Sequence, residues 1–99
     1  MNEVQVVQEI ELEAITFCKY RLRIADKAML LSFPQLLALR NQVNKHTSHQ
    51  ALEQTINTSN IILLFIGDRE HLVLLDIRQL MGLKEKLETI FYLAHPTWV

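Results

Sequence analysis

Two segments of the chain resemble each other, and this internal similarity restricts the possible fold more than any other feature of the sequence. Residues 30–43 align without a gap with residues 74–87, and five of the aligned positions are identical. The identical pairs are Leu30/Leu74, Leu31/Leu75, Gln35/Gln79, Leu36/Leu80 and Leu39/Leu83. A chain that repeats a pattern in this way is expected to build the same local structure twice.

Both segments also carry the signature of a helix start. Ser32 and Asp76 are each followed three residues later by a glutamine, which is the spacing of a capping box. In this motif the first side chain accepts a hydrogen bond from the N3 amide, and the glutamine accepts one from the N-cap amide. Apolar residues then recur at helical spacing, so we predict helices from Phe33 to about Lys45 and from Ile77 to about Ala94.

Each predicted helix follows a predicted β-hairpin. In the first hairpin, a turn at residues 26–27 would set Ile24 opposite Met29. In the second hairpin, strands over residues 61–66 and 72–75 flank a longer turn that is rich in turn-forming residues. The sequence therefore predicts a strand-strand-helix unit that occurs twice.

The residues before the first hairpin are predicted to add one more strand. Apolar side chains occupy mostly even positions, while glutamates and then basic residues occupy odd positions. A turn about Thr16 would set Glu13 opposite Lys19 and Glu11 opposite Arg21, and such pairs help to fix the register. The apolar residues of this stretch also suit one face of a helix, which stays open as the alternative.

Length and composition indicate a single domain. The chain has 99 residues, of which 49% are hydrophobic, and this is enough for one core but too short for two. We predict one α+β domain over residues 1–99, in the order β-β-β-α-β-β-α, with approximate repeats at 18–45 and 61–94. The helices are expected to pack on an antiparallel or mixed sheet.

Charge and hydropathy argue against several classes of partner. Ten Lys and Arg residues against eleven Asp and Glu leave a net charge of −1, so nucleic acid is not an expected partner. The longest apolar run, residues 61–66, is too short to cross a bilayer, and the first residues lack the positive region of a secretory signal. With Cys18 as the single cysteine, no internal disulfide can form, and a cytoplasmic location is expected.

The candidate metal ligands are weak. His46 and His49 lie three residues apart, with Glu53 four residues further on, but a zinc site needs three or four ligands in fixed geometry. Their polar surroundings predict a solvated loop between the repeats, so we predict no metal and no cofactor. Because the sequence shows no glycine-rich phosphate loop and no nucleophile beside a base, an enzyme is not expected either.

Cys18 is expected to be a buried structural residue. Its even position places it with the apolar residues Tyr20 and Leu22, and free cysteine behaves as a small hydrophobe. A reactive thiol would need a neighbouring group that lowers its pKa, and the sequence does not identify one.

The second hairpin carries apolar residues on both faces of its strands. One helix layer covers only one face of a sheet, and a second subunit is the simpler source of cover for the other. We therefore predict a homodimer with this hairpin at or near the interface, with Ile62, Leu64 and Ile66 as interface candidates. Trp98, two residues beyond the helix-stopping Pro96, is a further candidate, because it should fold back onto the core or dock on a partner chain.

The order of features resembles that of a family of short uncharacterised bacterial proteins, classed as a domain of unknown function. The residues that carry the resemblance are Cys18, the run from Tyr20 to Ile24, the helix entry at 30–32 and the second copy at 72–76. Many members of that family are similar in having a second cysteine three residues before the one that matches Cys18. Ile15 stands there in this chain, so any metal or redox role of such a pair would be lost.

These observations lead to two hypotheses of function. The first is a self-associating structural or protein-interaction module without a catalytic site. The alternative is a regulatory domain that binds a small ligand or a metal, either in the cleft between the repeats or at the loop of His46 and His49.

Overall fold

The computed structural model describes residues 10–25, 27–58, 60–67 and 71–94. The strands are β1 (Ile10–Thr16), β2 (Lys19–Ile24), β3 (Lys27–Ser32), β4 (Ile62–Ile66) and β5 (His71–Leu75). The helices are α1 (Phe33–His46), α2 (His49–Asn57) and α3 (Ile77–Ala94). The predicted α+β class is confirmed. The predicted element order is matched only loosely, because a helix that was not predicted, α2, lies between α1 and β4.

The strands form two antiparallel sheets that share one core. The first sheet has the order β1-β2-β3, and the second is the β4-β5 hairpin. Along β2, apolar side chains that are buried alternate with charged side chains that are exposed, as expected for a sheet with one covered face. The buried faces of both sheets and the apolar sides of α1 and α3 belong to one cluster of buried residues.

The two long helices lie side by side and run in opposite directions. The rings of Phe33 and Phe91 are 5.7 Å apart between centroids, so the start of α1 contacts the end of α3. Lys84, in the middle of α3, donates a hydrogen bond of 3.1 Å from Nζ to Oδ1 of Asn44, near the end of α1. The connection from α1 to α2 therefore lies far from the C-terminal end of α3.

Both capping boxes form as the sequence predicts. At α1, the Gln35 amide donates to Ser32 Oγ at 3.3 Å, and the Ser32 amide donates to Gln35 Oε1 at 2.9 Å. At α3, the Gln79 amide donates to Asp76 Oδ1 at 2.8 Å, and the Asp76 amide donates to Gln79 Oε1 at 3.0 Å. The two predicted helix starts, at residues 33 and 77, are confirmed.

The strand pairing of β1 with β2 is shifted from the predicted register. Glu11 lies opposite Arg23 and Glu13 lies opposite Arg21, which is two residues from the pairing expected for a turn about Thr16. Alternation of apolar and polar residues cannot detect this error, because a shift of two residues leaves every side chain on the same face. The strand itself is confirmed over residues 10–16, while residues 1–9 lie outside the described part of the chain.

The register of β2 with β3 differs from the prediction in the same way. Leu22, and not Ile24, lies opposite Met29, so the predicted turn position was wrong by one residue. The backbone of Ala25 has φ 57°, and this left-handed conformation lets the chain reverse at residue 25. Alanine is not a residue that normally marks such a position, so residue type does not reveal it.

The predicted loop around residues 44–49 was wrong, because α1 continues to His46 and α2 begins at His49. Ser48 caps α2 by accepting a hydrogen bond of 3.2 Å from the Ala51 amide. None of the residues of α2 is fully buried, and Leu52 of this helix is only partly buried against the core. Leu52 and Ile56 recur at helical spacing after the Ser48 cap, so the sequence does carry a signal for this helix, and the predicted loop overlooked it.

Side chains of neighbouring elements occupy both outer edges of the β4-β5 hairpin. On the β4 edge, the Phe65 amide donates to Gln42 Oε1 at 3.0 Å, and Gln42 Nε2 donates to the Phe65 carbonyl oxygen. On the β5 edge, Lys27 Nζ lies 3.5 Å from the carbonyl oxygen of Leu72. The Gln42 side chain thus pairs the backbone of an edge strand that would otherwise be open.

Replacing Gln42 tests this edge contact. Gln42→Ala removes two hydrogen bonds to the β4 backbone, so the free energy of unfolding should fall by about 1 to 2 kcal/mol. Urea denaturation followed by circular dichroism measures the change, and Gln54→Ala on the exposed surface of α2 is the matched control. Equal stability of the two variants would contradict a structural role for Gln42.

The caps of the two long helices give a second prediction. Ser32→Ala and Asp76→Ala should each lower the free energy of unfolding by about 1 kcal/mol, because each leaves an N3 amide without its partner. Ser48→Ala should lower the free energy of unfolding by less, since it removes the cap of α2, a helix that buries no residue completely. Thermal melts of the three variants measure the order of the effects. A loss for Ser48→Ala as large as the other two would show that α2 matters more than its burial indicates.

Candidate functional site

The face of the sheets that turns away from the core has a charged half on β1 and β2 and an apolar half. Leu30 of β3, which is 66% exposed, also lies on this face. On β1 and β2, Arg23 pairs with Glu11 at 3.2 Å, and Arg21 pairs with Glu13. These are cross-strand ion pairs on exposed side chains, so they support the register and add little stability. The charged half is thus explained by strand pairing alone.

The apolar half lies on the β4-β5 hairpin and has no such explanation. We call it the apolar patch, and it consists of Leu63, Phe65, Leu72 and Leu74. Leu63 lies opposite Leu74 and Phe65 lies opposite Leu72, so the four side chains are neighbours on one surface. Each is between 43% and 60% exposed. A contiguous group of large apolar side chains at the surface is typical of an interaction site.

The interface candidates named from the sequence lie on the opposite face of this hairpin. Ile62, Leu64 and Ile66 are at most 2% exposed and belong to the core of the chain. The prediction that these three residues form an interface was therefore wrong. The prediction that the hairpin has two apolar faces is correct. Because both faces are apolar, alternation alone could not show which one the helices cover. Trp98 lies outside the described residues.

A groove separates the β1-β2 connection from the C-terminal half of α3. Its volume is about 870 Å³, which lies in the range of small-molecule sites. The apolar part of its lining consists of Leu12, Ala14, Phe17, Tyr20, Phe33 and Ile90. Glu85, Lys86 and Thr89 of α3 contribute polar groups. Both repeats contribute to the lining, together with residues of β1 and of its connection to β2 that precede the first repeat.

Phe17 and Cys18 form the tip of the hairpin at the rim of this groove. Phe17 is 93% exposed, and Cys18 is exposed with φ 61°. The prediction of a buried Cys18 was wrong, because the pairing shifts between Ala14 and Thr16 and the chain then turns. The alternation of inward and outward side chains stops at that point. Sequence reasoning also missed Phe17, whose position at a turn could not be read from residue type.

The two histidines are not assembled into a metal site. His46 is the last residue of α1 and His49 the first residue of α2. A shallow polar depression of about 430 Å³ includes His46 in its lining but not His49. Within the described ranges, no group of three His, Cys, Asp or Glu side chains could hold a metal ion.

None of the polar or charged residues in the described part of the chain is buried as a whole, but the Nε atom of Arg40 is buried and its guanidinium carbon lies 4.2 Å from the centroid of the Phe91 ring. Two surfaces of the described residues are suited to binding, namely the apolar patch and the groove.

The left-handed conformation of Cys18 gives a stability prediction. Cys18→Gly should raise the free energy of unfolding by about 0.5 to 1 kcal/mol, because only glycine adopts positive φ without a steric cost. Ala28→Gly, at an exposed position inside β3, is the matched control and should lower it by a similar amount. Urea denaturation measures both, and a loss of stability in Cys18→Gly would contradict the strain at this turn.

Comparison of the chain with protein-family models, with curated proteins and with solved structures found no match. The resemblance to the bacterial family of short proteins therefore stays a prediction. Among the described helices, none is both long and apolar enough to span a membrane.

Proposed function

We propose that the protein is a self-associating module that forms a homodimer through the apolar patch. The observation that carries the proposal is the cluster of Leu63, Phe65, Leu72 and Leu74, which is half-exposed on the face that α1 and α3 leave uncovered. Burying the rest of one such side chain contributes roughly 1 kcal/mol. A partner surface that covers all four side chains at once would therefore contribute substantially to the free energy of association.

A second copy of the chain is the partner that best fits this surface. Two cross-strand pairs form a compact apolar group, and a two-fold axis through its centre would place each group on its counterpart. The neighbouring charged half carries both signs, already joined in ion pairs. It therefore selects neither a strongly acidic nor a strongly basic partner.

The proposal is one of binding and assigns no catalytic step, cofactor or metal to the chain. Binding of a small apolar ligand is the alternative, and the volume of the groove is the observation in its favour. A cytoplasmic location stays a prediction from the sequence.

Charge insertion at the patch tests the proposal. Leu74→Lys should weaken the dimer by about tenfold or more, because each subunit would bury an unpaired ammonium group against its like-charged counterpart. Sedimentation velocity at about 10 to 100 µM measures the change in association. Ile56→Lys on α2 is the matched control, since Ile56 has a similar exposure and lies away from the patch.

The wild-type protein and the control are expected to sediment as dimers, and Leu74→Lys as a monomer with an unchanged circular dichroism spectrum. A monomeric wild-type protein at the highest concentration would overturn the homodimer. Equal weakening by both substitutions would show that the interface does not use the patch.

A further inference from the structure

We propose that the groove is a docking site for the chain's own C-terminal segment, residues 95–99, with Trp98 as the side chain that enters it. The inference is independent of the proposed dimer, because the groove and the apolar patch are separate surfaces. It rests on the course of α3, on the reach of five residues and on the chemistry of the groove.

The course of α3 brings the segment to the groove. Residues 85–90 of α3 pass along the groove, and the helix ends at Ala94. At 1.5 Å per residue, Ala94 lies about 6 Å along the helix axis from Ile90 and about 12 Å from Lys86. The four residues from Ala94 to Trp98 span at most about 13 to 14 Å. Trp98 can therefore reach back over the groove from the end of the helix.

The chemistry of the segment matches that of the groove. Pro96 disfavours a continued helix, because proline has no amide hydrogen and restricts the residue before it. Trp98 brings a large apolar ring with one hydrogen-bond donor. The groove offers the rings of Phe17, Tyr20 and Phe33 for packing, and the Glu85 carboxylate lies at its edge as an acceptor.

A docked tryptophan also accounts for the exposure of Phe17. This side chain is 93% exposed at the groove rim, an unusual position for a large aromatic residue. An indole in the groove would cover one face of the ring, and such aromatic pairs contribute about 0.5 to 1.5 kcal/mol beyond the buried area.

The N-terminal residues are the less favourable occupant on chemical grounds. They enter the sheet at Ile10, two residues or about 7 Å from Leu12 in the groove lining, so reach alone does not separate the two segments. Residues 1–9 contain no aromatic side chain, whereas the C-terminal segment carries Trp98. Trp98 is therefore the better match to the aromatic lining.

Trp98 is the only tryptophan, so its fluorescence reports on the segment directly. In the wild-type protein we expect blue-shifted emission and protection from acrylamide quenching. Thr89→Glu places a charge in the groove and should shift the emission to the red and raise the quenching constant severalfold. Met81→Glu on the first half of α3 is the matched control, because Met81 is exposed outside the groove, and it should leave both values unchanged.

A label on Cys18 locates the docked tryptophan. Cys18 is the only cysteine and lines the groove, so a bimane label there should be quenched by Trp98 on contact. If the segment is docked more than about half of the time, Trp98→Phe should raise the bimane emission about twofold or more. Both proteins keep the same tyrosines, so any quenching of bimane by tyrosine is equal in the two and does not affect the comparison. The control carries the label at Gln50→Cys in the Cys18→Ser background, at the start of α2 and beyond the far end of α1. Its bimane emission should not change when Trp98→Phe is added.

Two results would overturn the inference. Equal bimane emission from the labelled wild-type and Trp98→Phe proteins would show that the segment does not enter the groove, which would then be open to a free ligand. Quenching of labelled Trp98→Phe protein by added unlabelled Cys18→Ser protein would show that the tryptophan comes from another copy. The quenching is expected to persist in the Leu74→Lys background, so failure of the dimer and failure of tail docking can be told apart.

Discussion

The structure depends on the packing of α1 and α3 against one face of two small antiparallel sheets. Each repeat supplies a hairpin with one buried face and a helix whose apolar side covers it, and the capping boxes at residues 32 and 76 fix where each helix begins. All the fully buried side chains of the described residues belong to this one interface between layers. Nearly all the stability of the domain must therefore come from apolar burial there.

Among the described residues, no helix covers the other face of the sheets. Residues on such a face are expected either to be polar or to find a partner. β1 and β2 meet the constraint with paired glutamates and arginines. β4 and β5 do not, since their outward residues are leucines and a phenylalanine. The homodimer that we propose follows from this difference between the two sheets.

The edges of the hairpin show how the two repeats are joined. The β4-β5 hairpin has no backbone ladder to the first sheet among the described residues, so side chains make the connection. Gln42 of α1 satisfies the backbone of Phe65, and Lys27 of β3 reaches the carbonyl oxygen of Leu72. At the other side of the molecule, the β1-β2 connection and α3 diverge and leave the groove. Such a gap between layers is a natural place for an additional segment of chain.

The sequence by itself determined the α+β class, the two capped helices and the hairpin before each of them, because these follow from local hydrogen bonding and from apolar periodicity. It also showed that the second hairpin has two apolar faces. Only the tertiary structure decided that Ile62, Leu64 and Ile66 face the helices, since alternation is symmetric between the faces of a strand. The same holds for the strand registers and for the exposure of Cys18, because they depend on turn conformations that residue type does not encode.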